Sequence, residues 1–313
     1  MLKIGVIGAG NLGESHIRLL KGISDFELVG FYDANQSYKD RISSQLNVHS
    51  FNNYEELIHH VDAVDIVKPS ISHFDYAVNA IKKSKHVFIE KPVTNTVDEA
   101  KQLLQLAEEA NVKVQVGHVE RFNPAFKAAL PYISNPKFIE THRMIKFDAK
   151  TADIAVVMDL MSHDLDIILS VVNSNIKSIK AKGVKVVGNT PDIVNAVVEF
   201  DNGCVANLTA SRISLIDERI SKFYQKDAHI KIDYLSQETS LFSLKENSKT
   251  EICVQKLKIN KENAVKLELE EFASSIINDT APKVGIHDGS LMLDAAFRVA
   301  EKLQFSGSLI QTN

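Results

Sequence analysis

The sequence predicts an α/β domain followed by an α+β domain: a parallel sheet with helices on both faces, then a mostly antiparallel sheet. Three observations carry this. The chain has 313 residues, more than one hydrophobic core usually organises. Short apolar runs alternate with helical patterns as far as Gly117, the rhythm of a parallel sheet. Beyond it, strand-like stretches follow one another with short turns, which favours antiparallel pairing. The boundary is placed so that residues 1–120 form the first domain and 121–313 the second.

In the first domain, Leu2–Ile7 is an apolar run ending in glycines, Leu12–Leu20 has helical spacing and Glu27–Tyr32 is a second strand. Asn53–His60 is helical, and Ala63–Val67 is a strand closed by Pro69. Phe74–Lys82 is a helix and His86–Ile89 a strand closed by Pro92. Val97–Ala110 carries Leu103, Leu104, Leu106 and Ala107 on an apolar stripe, and Lys113–Val116 is one more strand. In the second domain, Ala155–Val172 is a helical pattern. Strand patterns follow at Ile176–Val187, Val194–Phe200, Cys204–Arg212, Lys222–Gln225, Ala228–Asp233, Ser240–Lys245 and Glu251–Lys258. Asp201-Asn202-Gly203 is a hairpin turn between two of them. His142 and Arg143 begin a basic strand-like stretch that ends at Lys146. Lys266–Ile277 and Ser290–Leu303 are helices, and Ser306–Asn313 a loose tail.

Composition excludes several classes. A hydrophobic fraction of 44% is that of a globular protein, and a net charge of −4 leaves no basic footprint for a nucleic acid or an anionic membrane. No apolar run is long enough to span a bilayer, and glycines interrupt the N-terminal apolar run too early for a signal peptide. Cys204 and Cys253 form no CxxC pair and are expected to be buried and reduced. Together these features point to the cytoplasm.

Gly8-Ala9-Gly10-Asn11-Leu12-Gly13 is a GxGxxG motif between a strand and a helix, the setting of a Rossmann dinucleotide fingerprint. Gly8 permits the tight turn, Gly10 lets the backbone approach a pyrophosphate, and Gly13 lets helix and strand pack closely. Asp33 ends the second strand, where an acidic residue accepts the ribose hydroxyls. Its charge opposes a 2′-phosphate, so NAD is expected in preference to NADP.

Two further stretches carry chemistry. His86-Val87-Phe88-Ile89-Glu90-Lys91-Pro92 places Glu90 and Lys91 at the C-terminal end of a buried strand, the edge where open α/β sheets bind ligands. A lysine beside a cofactor cation can help move a proton. Asp159 and His163 are four residues apart on a helical pattern and so share a face. The imidazole can accept an alcohol proton, and Asp159 can orient it or hold a substrate hydroxyl. Both residue types also ligate zinc, but no third ligand stands at a suitable spacing, so no metal is expected.

Gly8–Gly13, Glu90-Lys91-Pro92 and Asp159 with His163 together resemble the glucose-fructose oxidoreductase, inositol dehydrogenase and rhizopine-catabolism (Gfo/Idh/MocA) family, in order and over nearly the whole chain. The resemblance implies a nicotinamide cofactor, a sugar-like substrate and a homodimer or homotetramer formed through the second sheet. It places Lys91 beside the substrate hydroxyl with Glu90 positioning it, Pro69 beside the nicotinamide, and cofactor contacts at Ser72 and His73. Lys68 departs from the family, which usually has a small or hydroxyl residue there. Gly117-His118-Val119-Glu120-Arg121-Phe122-Asn123-Pro124 matches the family junction at Arg121, Phe122 and Pro124. There His118 is expected to face the cofactor or substrate, and Arg121 to hold a substrate anion or to form an interdomain salt bridge. That stretch looks most like members oxidising nucleotide sugars such as UDP-N-acetylglucosamine at the 3-position. A free-sugar or cyclitol dehydrogenase is the alternative within the class, and a non-catalytic NAD(H) sensor the alternative outside it.

Overall fold

The structure, a computed structural model, describes residues 1–148, 154–187, 190–244 and 251–306. Two compact units are present. Met1–Val119 with Asn263–Leu293 forms the first, and Glu120–Glu262 with the chain from Asp294 onward forms the second. The single break expected after residue 120 does not describe this division, because Asn263–Leu293 returns to the first unit.

The first unit is built on β1 (Leu2–Ile7), β2 (Phe26–Tyr32), β3 (Ala63–Ile66), β4 (His86–Glu90) and β5 (Val114–Gly117), all parallel in the order β2-β1-β3-β4-β5. A parallel bridge between Phe31 and Ser50 stands where a further strand would flank β2. Counting it, the order is that of the dinucleotide-binding doubly wound fold, with one edge strand shortened to a bridge. The switch point lies between β1 and β3, whose C-terminal ends hold the glycine loop and Lys68.

Side-chain alternation along β1 shows that both faces are covered. Ile4 and Val6 point into a core shared with α1 (Asn11–Leu20) and α8 (Ala264–Ile277), where Leu269, Phe272 and Ala273 are buried. Gly5 faces the other way, and a β-carbon on it would lie 2.5 Å from Leu57 of α3 (Tyr54–His59). Phe272 sits edge-on to Phe88, with ring centres 5.8 Å apart, and Phe88 sits edge-on to His16 at 5.9 Å. An amphipathic period shows that α8 has a buried face but not which sheet it covers. Chain order alone therefore groups it with the second domain, whereas it packs on the first sheet.

The polar helix α2 (Gln36–Leu46) was not expected. Its Asn35 cap, accepting from the Ser37 and Tyr38 amides, starts a segment whose apolar spacing is sparse. The remaining helices of this unit, α4 (His73–Lys82) and α5 (Val97–Glu109), match their sequence patterns; Thr96 and Glu99 form a capping box on α5.

The second unit is a nine-stranded mixed sheet. Its strands are β6 (Phe138–Met144), β7 (Ile176–Val184), β8 (Ile193–Phe200), β9 (Val205–Ser211), β10 (Glu218–Tyr224), β11 (His229–Asp233), β12 (Glu238–Leu244), β13 (Ile252–Lys256) and β14 (Leu303–Ser306). Pairing is antiparallel except between β6 and β9 and between β7 and β14. Burial alternates strictly along β8 and β11, so one face is core and the other half-exposed. On the core face α6 (Pro124–Ala129) meets β11 and β12, and α7 (Ser162–Val171) meets β6. The last helix, α9 (Ile286–Glu301), ends two residues before the expected Leu303, which instead begins β14. Residues 307–313 of the expected tail, and Lys245 of the expected strand, lie outside the described residues. Cys204 is buried as expected, but Cys253 is exposed on β13.

Replacing the fully buried Phe272 by Ala is expected to cost about 3–5 kcal/mol, the usual penalty for deleting a core aromatic ring. Denaturant unfolding followed by circular dichroism measures it, since the chain has no tryptophan. A loss below about 1 kcal/mol would mean that α8 is not part of this core.

Candidate functional site

The glycine loop closes as a dinucleotide cradle. Gly8 has φ +113°, and a β-carbon there would lie 2.5 Å from the Val67 carbonyl oxygen. At Gly13 a β-carbon would come within 2.0 Å of the Gly8 carbonyl oxygen, so helix and loop touch backbone to backbone. Gly10 differs: its β-carbon would meet nothing within 4 Å. It caps α1 without any side-chain hydrogen bond, leaving the first-turn amides directed outward. Asn11 and the half-exposed Leu12 begin that helix. Open space, outward amides and an exposed apolar side chain suit a ligand with phosphates and a flat ring system.

Asp33 is buried at the end of β2. Its Oδ2 accepts the Ala9 amide at 2.7 Å and its Oδ1 the Asn35 amide at 2.8 Å, so it braces the glycine loop and turns the chain into α2. Lys68 Nζ lies 3.5 Å from Asp33 Oδ1.

Beneath this cradle lies a charged cluster that sequence reasoning did not single out. His16, on the α1 face that turns to the sheet, has Nδ1 2.9 Å from Asp65 Oδ2 and Nε2 3.3 Å from Glu90 Oε1. His16 and Asp65 are fully buried. Burial opposes a charge on His16, but Asp65 and Glu90 outweigh it and hold the imidazole protonated well above its ordinary range. Glu90 Oε2 accepts the Lys91 amide at 3.2 Å. A β-carbon on Gly117 would sit 2.9 Å from the Glu90 carboxyl carbon, so β5 presses the carboxylate from the other side. Lys91 therefore leaves β4 from a backbone held on both sides, with its side chain half-buried and its peptide bond to Pro92 cis. The signal was present: Asp65 is a carboxylate inside the apolar run Ala63–Ile66.

Other expected cofactor contacts have different placements. His73 is buried, its Nδ1 2.8 Å from the Pro92 carbonyl and its Nε2 2.7 Å from the Lys68 carbonyl. It braces the loops after β3 and β4 to each other rather than facing a ligand. Ser72 is half-buried and donates to the Pro69 carbonyl at 2.9 Å. His118 is buried at the end of β5.

In the second unit, the helix expected over Ala155–Val172 opens with a turn of π-helix at Val157–Met161 and continues as α7. A π turn is wider than an α turn, so residues four apart stay on one side, and such turns recur at functional sites. Asp159 and His163 are both half-buried, while Leu160, Met161 and Ser162 between them are buried. Asp164 and Asp166, both buried, anchor the helix. Arg143 of β6 makes a paired contact to Asp164, Nε to Oδ2 and Nη2 to Oδ1 both at 3.0 Å, and donates from Nη1 to Glu120 Oε1 at 3.0 Å. Burial opposes the Arg143 charge, but Asp164 and Glu120 hold the guanidinium protonated. Asn123 donates to Glu120 Oε2 and to the Tyr234 carbonyl, each at 3.1 Å. Arg121 engages Asp166 in the same two-point fashion, at 2.8 and 3.0 Å. A salt bridge is thus present at Arg121, but it lies within the second unit and is not the interdomain one expected.

Comparison with known proteins agrees with this geometry. A model described as an oxidoreductase family with an NAD-binding Rossmann fold matches residues 2–118, and one for the GFO/IDH/MocA C-terminal domain matches 115–224. The chain is 33% identical over 242 residues to the UDP-N-acetylglucosamine 3-dehydrogenase of Acidithiobacillus ferrooxidans, covering 77% of each. The solved structure of that enzyme superposes with a TM-score of 0.91 at 29% identity, over 96% of this chain and 97% of that one. The NAD(+)-dependent scyllo-inositol 2-dehydrogenase of Bacillus subtilis is 26% identical over 325 residues, 94% of this chain and 91% of the relative.

Two substitutions test the buried clusters. A histidine whose folded pKa is raised contributes stability that is fully present below about pH 6.5, its unfolded value, and is lost as pH rises through the folded value. The melting-temperature gap between the parent protein and His16→Gln is therefore expected to narrow as pH rises above about 6.5. A gap independent of pH would mean that folding does not raise the His16 pKa. Arg143→Met strips Asp164 of its two-point partner and leaves Glu120 only the more distant Arg219, at 3.9 Å, and is expected to cost about 3–5 kcal/mol in denaturant unfolding.

Proposed function

The chain belongs to the Gfo/Idh/MocA family of NAD-binding oxidoreductases, and from that premise we propose that it oxidises a ring secondary alcohol of a nucleotide sugar to a ketone with NAD. The observation that carries this is the buried His16 held between Asp65 and Glu90, which fixes the backbone of Lys91 at the C-terminal end of β4. A protein that only bound the dinucleotide would have no use for a lysine held so firmly.

NAD, when bound, accepts a hydride. Gly8, Gly10, Asn11, Leu12 and Gly13 receive its phosphates at the start of α1, and Asp33 holds a ribose. Lys91 binds the reacting hydroxyl and keeps its oxygen in place. His163 takes the hydroxyl proton, and Asp159 orients the imidazole or holds a neighbouring hydroxyl. His118 is proposed to border the cofactor. The nucleotide-sugar assignment rests on similarity to the Acidithiobacillus enzyme. A cyclitol substrate is the second reading, favoured by the match to scyllo-inositol 2-dehydrogenase over nearly the whole chain. Among the described residues no helix is long and apolar enough to cross a membrane. We place the enzyme in the cytoplasm as a homodimer or homotetramer.

Absorbance in the NADH band, with NAD and a panel of UDP-sugars, free sugars and cyclitols, tests this. Turnover with UDP-N-acetylglucosamine is expected, with kcat reduced about a hundredfold to ten-thousandfold in His163→Ala and in Lys91→Ala. Turnover with cyclitols alone would select the second reading. NADH binding without turnover on any substrate would leave a cofactor sensor.

A further inference from the structure

Lys68 is the residue that departs from the family pattern, and its surroundings give it a role. It follows β3 at the switch point of the sheet, directly across from the glycine loop. The lysine stem crosses Gly8: its Cδ is 3.1 Å from the place a β-carbon on Gly8 would occupy, closer than an ordinary carbon contact. The ammonium ends 3.5 Å from Asp33 Oδ1, with both side chains largely buried. Asp33 already accepts the Ala9 and Asn35 amides, so two backbone dipoles and one full positive charge converge on a single carboxylate.

This changes the electrostatics on which cofactor choice depends. An unpaired carboxylate at the end of β2 repels a 2′-phosphate, and doubly wound folds that accept one place a cation nearby. Here the cation comes from the end of β3, distant in sequence from Asp33, and the pair is formally neutral. The first turn of α2, immediately after Asp33, contains no acidic residue to restore the repulsion. We infer that Lys68 admits the 2′-phosphate, so that the site takes NADP as well as NAD. Lys68 then holds Asp33 in place for the ribose of NAD and offers the same ammonium to the phosphate of NADP. This rests on the dinucleotide reading above and revises the preference for NAD that Asp33 alone suggests.

The test is direct binding of NADH and NADPH to the full chain, by calorimetry and by enhancement of reduced-nicotinamide fluorescence, without substrate. The parent protein is expected to bind the two within about tenfold of each other. Lys68→Met is expected to weaken NADPH relative to NADH by about tenfold to a hundredfold, the worth of one charge-assisted hydrogen bond. Lys68→Arg should keep the parent ratio. Tight NADH binding with NADPH more than about a hundredfold weaker in the parent, or an unchanged ratio in Lys68→Met, would overturn the role of Lys68 and leave the dinucleotide site standing. Binding of neither nucleotide would overturn both.

Discussion

A charged imidazole with no access to water survives in a fold only if both its nitrogens meet anions, and His16 meets two. The desolvation cost of burying it is offset by Asp65 on one side and Glu90 on the other. The three groups come from α1, β3 and β4, the elements whose ends form the glycine loop, the Lys68 turn and the Lys91 turn. Moving any of these elements would separate charges that cannot be left unpaired. The cluster thus sets the register between the helix that follows the glycine loop and the strand that ends at Lys91, and the edge-on contact of Phe88 and Phe272 backs it with hydrophobic core.

The second unit solves the same problem with arginine. The helix bearing Asp159 and His163 carries two fully buried carboxylates in its next turn, and each is met by a guanidinium in two-point geometry. Such a pair fixes direction as well as distance, because the planar fork matches the planar carboxylate. Removing one partner is costly for the reason the pair is worth little against an apolar core: the charge left behind has no solvent. In both units the groups assigned to chemistry are half-buried, and those that aim them are buried and paired.

Much of the site was legible because its chemistry needs particular residues at short spacing. GxGxxG is one turn and one helix start, Glu90-Lys91-Pro92 is one strand end, and Asp159 with His163 spans one helical turn. Local geometry fixes what each can do. His73 and Arg121 show the limit. Both residues match motif positions, but their partners, the Pro92 and Lys68 carbonyls and the Asp166 carboxylate, are set by how loops and helices meet. Residue type alone does not distinguish a ligand contact from a brace.

By itself the sequence determined most of the order of elements, the parallel sheet of the first unit and the mostly antiparallel sheet of the second, and it nominated residues for an oxidation. These follow from periodicity and backbone sterics, which act over a few residues. Only the tertiary structure decided that α8 covers the first sheet, that β6 pairs parallel with β9, and that His16, Asp65 and Glu90 form one charged cluster. It also decided that Lys68 reaches Asp33. Each of these joins residues tens to hundreds of positions apart, and their pairing is dictated by burial: a charge or an apolar face removed from water must find its complement wherever the chain brings one.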